Sequence, residues 1–183
     1  FNIWMRLLKR VEGSVLWLMA SNKWAENNLV KEAEKRGVKS NRLIFANQMH
    51  YYDHLARCKL GDLFIDTFNY NAHTTASDAL WAGMPLVTKI GDGFTARVAS
   101  SILKALDLSE LITESEEEYE ALIFEIATSK EKLLKIKKKL LENKTTKPLF
   151  NSQMFINYLE NGYEEVYQNY LKGNKIKTIF INK

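Results

Sequence analysis

A polar loop at residues 67–72 runs into a segment of helical pattern that opens on Thr74 and Thr75, with His73 just before it and Asp78 one turn in. The first peptide N–H groups of a helix have no partner inside it, and together with the helix dipole they favour a phosphate placed there. The two threonines add hydroxyl donors, His73 adds an imidazole, and Asp78 a carboxylate able to hold sugar hydroxyls. These are the parts of a nucleoside diphosphate site. Each also has a structural reading: a pair of threonines is an ordinary helix cap, and a histidine before a helix divides evenly between structure and function.

Two further loops belong with this one if the chain forms an open parallel sheet, because ligands in such sheets sit beyond the carboxyl ends of the strands. The first contributes residues 47–50 and the helix behind it, carrying His54 and Arg57. The second contributes residues 91–95, with Arg97 just inside the next helix. A nucleotide lying across all three meets His54 and Arg57 near its base, Asp78 near its ribose, and the Thr74–Thr75 helix end at its phosphates. By default His54 is a half-buried structural histidine, Asp66 ends a strand, and Arg97 pairs with an acid. Histidines at 50, 54 and 73 lack a carboxylate at metal spacing, so neither a metal site nor a bound cofactor is expected. Neither a nucleophile elbow nor a glycine-rich P-loop is present.

The elements that must position these residues follow from periodicity. Apolar residues at three- and four-residue spacing predict an uncapped helix over 1–11, whose abrupt start suggests a piece of a longer protein. The apolar run 14–19 predicts a strand buried on both faces. Asn22 caps a helix over 24–36; strand 41–46, helix 50–60 and strand 62–66 follow. Helix 74–81 leads through Gly83-Met84-Pro85 into strand 85–90, then helix 95–106 and a short strand at 111–113. Ser115 and three glutamates open a helix to about residue 144, with a break near Thr128-Ser129, and a last helix spans 152–172. This alternation is that of an α/β doubly wound parallel sheet, a Rossmann-like lobe, with extra C-terminal helices. Residues 1–183 read as one lobe, about 1–114 forming the sheet core and about 115–183 the helices.

Bulk composition fits that reading. The chain has 183 residues, of which 46% are hydrophobic and 26% charged, with a formal net charge of +4. The lysines concentrate in 130–147 without interleaved aromatics, which reads as a solvated helix face and argues against nucleic acid. Cys58 is the single cysteine; it permits no intramolecular disulfide and reads as a structural thiol. The absence of a long apolar run or a signal peptide predicts a soluble, cytoplasmic protein without a membrane partner.

The runs Ser14-Val15-Leu16-Trp17-Leu18, Asn41-Arg42-Leu43-Ile44-Phe45, Asp66-Thr67, Asn71-Ala72-His73-Thr74-Thr75 and Asp78-Ala79-Leu80-Trp81-Ala82-Gly83-Met84-Pro85-Leu86-Val87-Thr88 carry a resemblance over nearly the whole chain. Gly91, Ala96-Arg97-Val98-Ala99 and Pro148-Leu149-Phe150-Asn151 continue it. The sequence resembles the C-terminal catalytic lobe of O-linked N-acetylglucosamine transferases. That family has a GT-B architecture of two Rossmann-like lobes, often preceded by tetratricopeptide repeats. It transfers N-acetylglucosamine from UDP-sugar to Ser and Thr of acceptor proteins, with inversion and without a metal.

The resemblance implies that His54 stacks on uracil, that Arg57 lies near the base, and that His73, Thr74 and Thr75 hold the diphosphate while Asp78 contacts the ribose. Tyr51 stands where the family has a lysine near the ribose. Tyr70 stands where it has a small residue near the acetamido group, which narrows the acyl pocket. The family's catalytic lysine and the acceptor-side lobe match nothing here and fall upstream, so the chain by itself is expected to be inactive. Two other readings remain open: a noncatalytic nucleotide-sugar-binding or protein-interaction domain, and a transferase of another sugar such as fucose from GDP.

Overall fold

The computed structural model describes residues 1–181. Eight helices and five short strands alternate in the expected order: α1 (Asn2–Arg10), β1 (Leu16–Met19), α2 (Lys23–Lys35), β2 (Leu43–Ala46), α3 (Tyr51–Cys58), β3 (Phe64–Ile65), α4 (Thr74–Ala82), β4 (Leu86–Lys89), α5 (Val98–Ala105), β5 (Ile112–Thr113), α6 (Glu116–Thr128), α7 (Lys130–Thr146) and α8 (Ser152–Leu171). Every strand pairing is parallel. The pairings form two groups, β1-β2 and β3-β4-β5, rather than one continuous ladder. Ile65 on β3 packs against the cores of both groups and joins them.

Local chemistry explains the element ends. Asn22 Oδ1 accepts from Ala25 N at 2.8 Å, and Ser115 Oγ accepts from Glu118 N at 3.0 Å. The long helix expected after Ser115 is divided as its sequence suggested. Ser129 N donates to Glu125 O at the end of α6, and Ser129 Oγ accepts from Lys132 N at 3.2 Å to open α7. Gly83 ends α4 in the left-handed conformation, φ 90°, which glycine adopts without a Cβ penalty. Arg42 closes the C-terminus of α1 by donating to Leu8 O at 2.8 Å and Val11 O at 3.0 Å.

The main core gathers Leu80 of α4, Leu86 and Val87 of β4, Leu103 of α5, Tyr119 and Ile126 of α6, and Leu140 of α7. A second core under β1-β2 contains Met5, Leu8, Leu16, Ala33, Val38 and Leu43. Helix α1 serves both: Ile3 and Leu7 enter the first, Met5 and Leu8 the second. Asn143 Nδ2, buried on α7, donates to Leu106 O at 2.7 Å. Lysines of α7 and its C-cap are tied to the lobe, Lys137 to Asp62 at 3.3 Å, Lys139 to Glu110 at 2.7 Å and the capping Lys147 to Asp107 at 2.9 Å.

One expectation fails in β1. The run 14–19 is buried on one face only: Leu16 is 7% exposed, whereas Trp17 is 38% and Met19 71% exposed. Trp17 pairs in register with Ile44 of β2, which is also exposed, so that side of the strand pair is left partly open, with the Arg57 guanidinium 5.6 Å from the Trp17 ring centroid. An unbroken apolar run does not say which of its faces another element reaches.

Glu120 ties α6 to α1, accepting from Arg6 Nε at 2.8 Å and Arg10 Nη1 at 3.3 Å. The hydrogen bond from Arg6, with the charges of both arginines, holds its carboxyl below the usual range. A depressed carboxylate pKa contributes stability that is present above the unfolded value and is lost as pH falls through the folded one. Glu120→Gln is therefore expected to unfold at lower urea than the wild type at neutral pH. The gap should narrow as pH falls from the unfolded value, about 4.3, through the depressed folded one; a gap that does not narrow on acidification would exclude the ion pair as its cause.

Candidate functional site

Asp66 directly follows β3; the residue is 1% exposed, and its carboxylate organises the loop that follows. Its Oδ1 accepts from Thr67 N at 2.8 Å and Ala72 N at 2.7 Å, and its Oδ2 accepts from Thr88 Oγ1 at 2.6 Å. The buried phenol of Tyr119 donates to Asp66 O at 2.8 Å. Burial pushes the Asp66 carboxyl above its ordinary range, against the three hydrogen bonds and the nearby His73, which favour its charge. This residue, expected only to end a strand, anchors the whole loop.

The loop is also laced to the one after β4. Asn71 N donates to Thr95 O at 2.9 Å, and Thr95 Oγ1 donates to Asn69 O at 2.9 Å. That second loop is tight: a Cβ at Gly91 would stand 2.7 Å from Ala96 Cβ. Arg97, which had been expected to pair with an acid, donates instead to Gly91 O at 3.2 Å.

Between the anchored loop and α4 lies a cleft of about 430 Å³ lined by residues that include Asp66, Tyr70, Asn71, His73, Thr74 and Thr75. Four of the expected site residues thus share one cavity. No side chain caps α4, and the peptide N–H groups of Thr74 and Thr75 donate to no protein group among the described residues. Two buried polar atoms here are also without partners, Asn71 Oδ1 and His73 Nε2. Buried polar atoms are nearly always hydrogen-bonded, so two orphans beside a free helix end mark a place built for a polar ligand. The Tyr70 ring stacks on His73, centroids 4.7 Å apart and planes 18° from parallel, and Phe94 meets His73 edge-on at 6.4 Å.

His54 and Arg57 stand apart from that cleft, on α3. Arg57 Nη2 lies 3.1 Å from His54 Nδ1, so a donating guanidinium makes Nδ1 the acceptor and leaves the proton on Nε2. Arg57 Nη1 also donates to Asn47 O at 2.7 Å, and the guanidinium lies 5.6 Å from the Trp17 ring centroid. Cys58 Sγ is 3.7 Å from His54 Nε2, and burial pushes the thiol up, away from nucleophilic character. Asp78, half-buried on α4, is reached from α3 by Tyr51, whose hydroxyl donates to Asp78 Oδ1 at 3.0 Å. Among the described residues no three His, Cys, Asp or Glu side chains gather into a metal-ligating group.

Asp66, Asn71 and Tyr119 were not singled out as functional from sequence. A signal for the first existed: an acid directly after an apolar strand, facing a threonine on the neighbouring one. Tyr119 lies 53 positions from Asp66, a separation at which no local pattern operates.

Parallel strands joined by crossover helices make this a Rossmann-like α/β lobe of the GT-B kind. The particular family is equally plain. The profile of glycosyl transferase family 41 matches residues 1–159, and the chain belongs to that family.

Its similarity extends to a probable UDP-N-acetylglucosamine–peptide N-acetylglucosaminyltransferase, SEC, of Arabidopsis thaliana. The two are 34% identical over 175 residues, 95% of this chain and 18% of that protein. The UDP-N-acetylglucosamine–peptide N-acetylglucosaminyltransferase of Caenorhabditis elegans is 30% identical over 181 residues, 99% of this chain and 16% of that one. Among solved structures, a mutant O-GlcNAc transferase of Thermobaculum terrenum superposes with a TM-score of 0.83 at 26% identity, covering 92% of this chain and 33% of that one. The chain therefore spans less than a fifth of the length of these two curated relatives. No helix among the described residues is long and apolar enough to cross a membrane.

Proposed function

We propose that this chain is the UDP-sugar-binding lobe of a protein O-glycosyltransferase. The whole protein transfers N-acetylglucosamine, or a related sugar, from UDP-sugar to Ser or Thr of an acceptor protein. The observation that carries the reading is the cleft at the start of α4, where free helix N–H groups and two partnerless buried polar atoms converge in a chain of family 41. The first-turn N–H groups, the hydroxyls of Thr74 and Thr75 and the imidazole of His73 hold the diphosphate and neutralise charge as it departs. Asp78 takes the ribose, and His54, oriented by Arg57, stacks on uracil. Tyr70, over His73, bounds the donor sugar. The acceptor site and the family's catalytic lysine lie outside this lobe, so the isolated lobe binds donor without turning it over, in the cytoplasm and with no metal or other cofactor.

Calorimetric titration with UDP and GDP tests this. Base stacking contributes about 1–3 kcal/mol and tolerates any base, so His54→Ala should weaken UDP and GDP alike, by roughly fivefold or more. Absence of UDP binding at millimolar concentration would sink the reading.

A noncatalytic reading draws on α8, where Phe155, Leu159, Tyr163, Tyr167 and Tyr170 are exposed along one helix, a surface suited to a protein partner. UDP binding by the full-length protein without transfer to any acceptor would favour it.

A further inference from the structure

The contact between Tyr51 and Asp78 carries more than the functional reading uses. Helix α3 buries none of its residues. Among the described residues, the one side-chain hydrogen bond it makes to α4 is the Tyr51 hydroxyl on Asp78 Oδ1, at 3.0 Å. Asp78 forms no ion pair among the described residues. Its Oδ2 makes no hydrogen bond among them either, so one oxygen of the carboxylate is held and the other is free to accept.

We infer that Tyr51 is a positioning residue for ribose recognition: its phenol fixes Asp78 through Oδ1 and so presents Oδ2 to a ribose hydroxyl. The inference rests on the reading of the cleft as a UDP site and adds a residue to it. A free carboxylate on a helix surface samples several rotamers, and a ligand must then order it; a carboxylate already held by one oxygen is preorganised. The hydrogen bond to Asp78 raises the phenol's pKa, which keeps it protonated and donating at neutral pH. A tyrosine here, unlike a lysine, leaves the carboxylate charge uncompensated, so discrimination depends on hydrogen-bond geometry rather than on charge.

The test compares the affinity of UDP with those of its 2′-deoxy and 3′-deoxy analogues, with inorganic pyrophosphate as a probe of the phosphate site alone. The wild type should prefer UDP over the weaker of the two analogues by about tenfold or more, since a site built around a hydroxyl rejects a ligand that lacks it. In Tyr51→Phe that ratio should fall to about threefold or less, with pyrophosphate affinity unchanged. Tyr51→Lys, which again offers Asp78 a donor, should restore the ratio. A wild-type ratio in Tyr51→Phe overturns the inference, as does a lysine variant no better than phenylalanine. An equal loss of pyrophosphate binding in Tyr51→Phe also overturns it, because the effect would then not belong to the ribose. UDP that fails to bind the wild type overturns the functional reading and this inference together; UDP that binds with a ratio indifferent to Tyr51 overturns this inference alone.

Discussion

Replacing Asp66 by alanine is expected to destabilise the lobe by about 2–4 kcal/mol and to weaken UDP binding at least about tenfold. The carboxylate accepts from two peptide N–H groups of the loop, Thr67 and Ala72, and from the Thr88 hydroxyl on β4. Alanine leaves all three donors without their acceptor, and the Thr88 contact is fully buried, where an unmet donor is most costly. The loop carrying Tyr70 and Asn71 then loses its anchor while its start and end remain attached. The energetic loss therefore falls on the part of the fold that shapes the cleft. Urea unfolding and UDP calorimetry measure the two effects; a variant with wild-type stability would show that the loop is held by its other bonds, chiefly Asn71 N to Thr95 O.

Asp66→Asn separates the hydrogen bonds from the charge. An amide oxygen in the place of Oδ1 keeps the two loop contacts and carries no charge. Desolvation raises the carboxyl's folded pKa above its unfolded value. Such a group is least costly where it is protonated in both states, and its contribution declines as pH rises from the unfolded value, about 4, through the raised folded one. The stability difference between asparagine and wild type should accordingly shift in favour of asparagine as pH rises from about 4 to 7. A difference that is flat in pH would mean the carboxyl titrates alike in both states.

Much of this fold is legible in the chain because its signals are local. Asn22, Ser115 and Ser129 cap the helices that their positions suggest, and Gly83 ends α4. The alternation of apolar runs with three- and four-residue spacing gives the strand–helix order. The failures share one cause, dependence on what lies across space. The run through Trp17 and Met19 is as apolar as a doubly buried strand, yet its second face stays partly exposed. The division of the strands into two groups depends on β3, whose ladder spans two residues and whose flanking backbone is given over to the Asp66 loop. Within the site, the helix end and its threonines were readable from residue type and order alone. The buried acid beneath them, the tyrosine that supports it from α6 and the phenol that holds Asp78 were not, because each works through a partner remote in sequence.

His73→Ala should produce the opposite signature to Asp66→Ala, a loss of affinity with little loss of stability. His73 Nε2 is buried without a partner, so removing it deletes an unmet polar group rather than a protein hydrogen bond, and the fold has little to lose. A bound diphosphate supplies the missing acceptor. A hydrogen bond to a charged group contributes about 1.5–3 kcal/mol, which places the expected loss of UDP affinity at tens of fold. Reaching the ligand requires Nε2 to come out from beneath the Tyr70 ring now stacked on it, and the alanine variant also removes the surface on which that ring rests. Thr74→Ala, at an exposed position at the start of α4, should cost about tenfold through its hydroxyl while leaving the peptide N–H groups in place. If the two residues grip the same diphosphate, the double variant should lose less than the product of the single losses, since neighbours that share one ligand are coupled. Unchanged UDP affinity in both single variants, with unfolding curves like that of the wild type, would remove the diphosphate from the α4 N-terminus and the UDP-sugar reading with it.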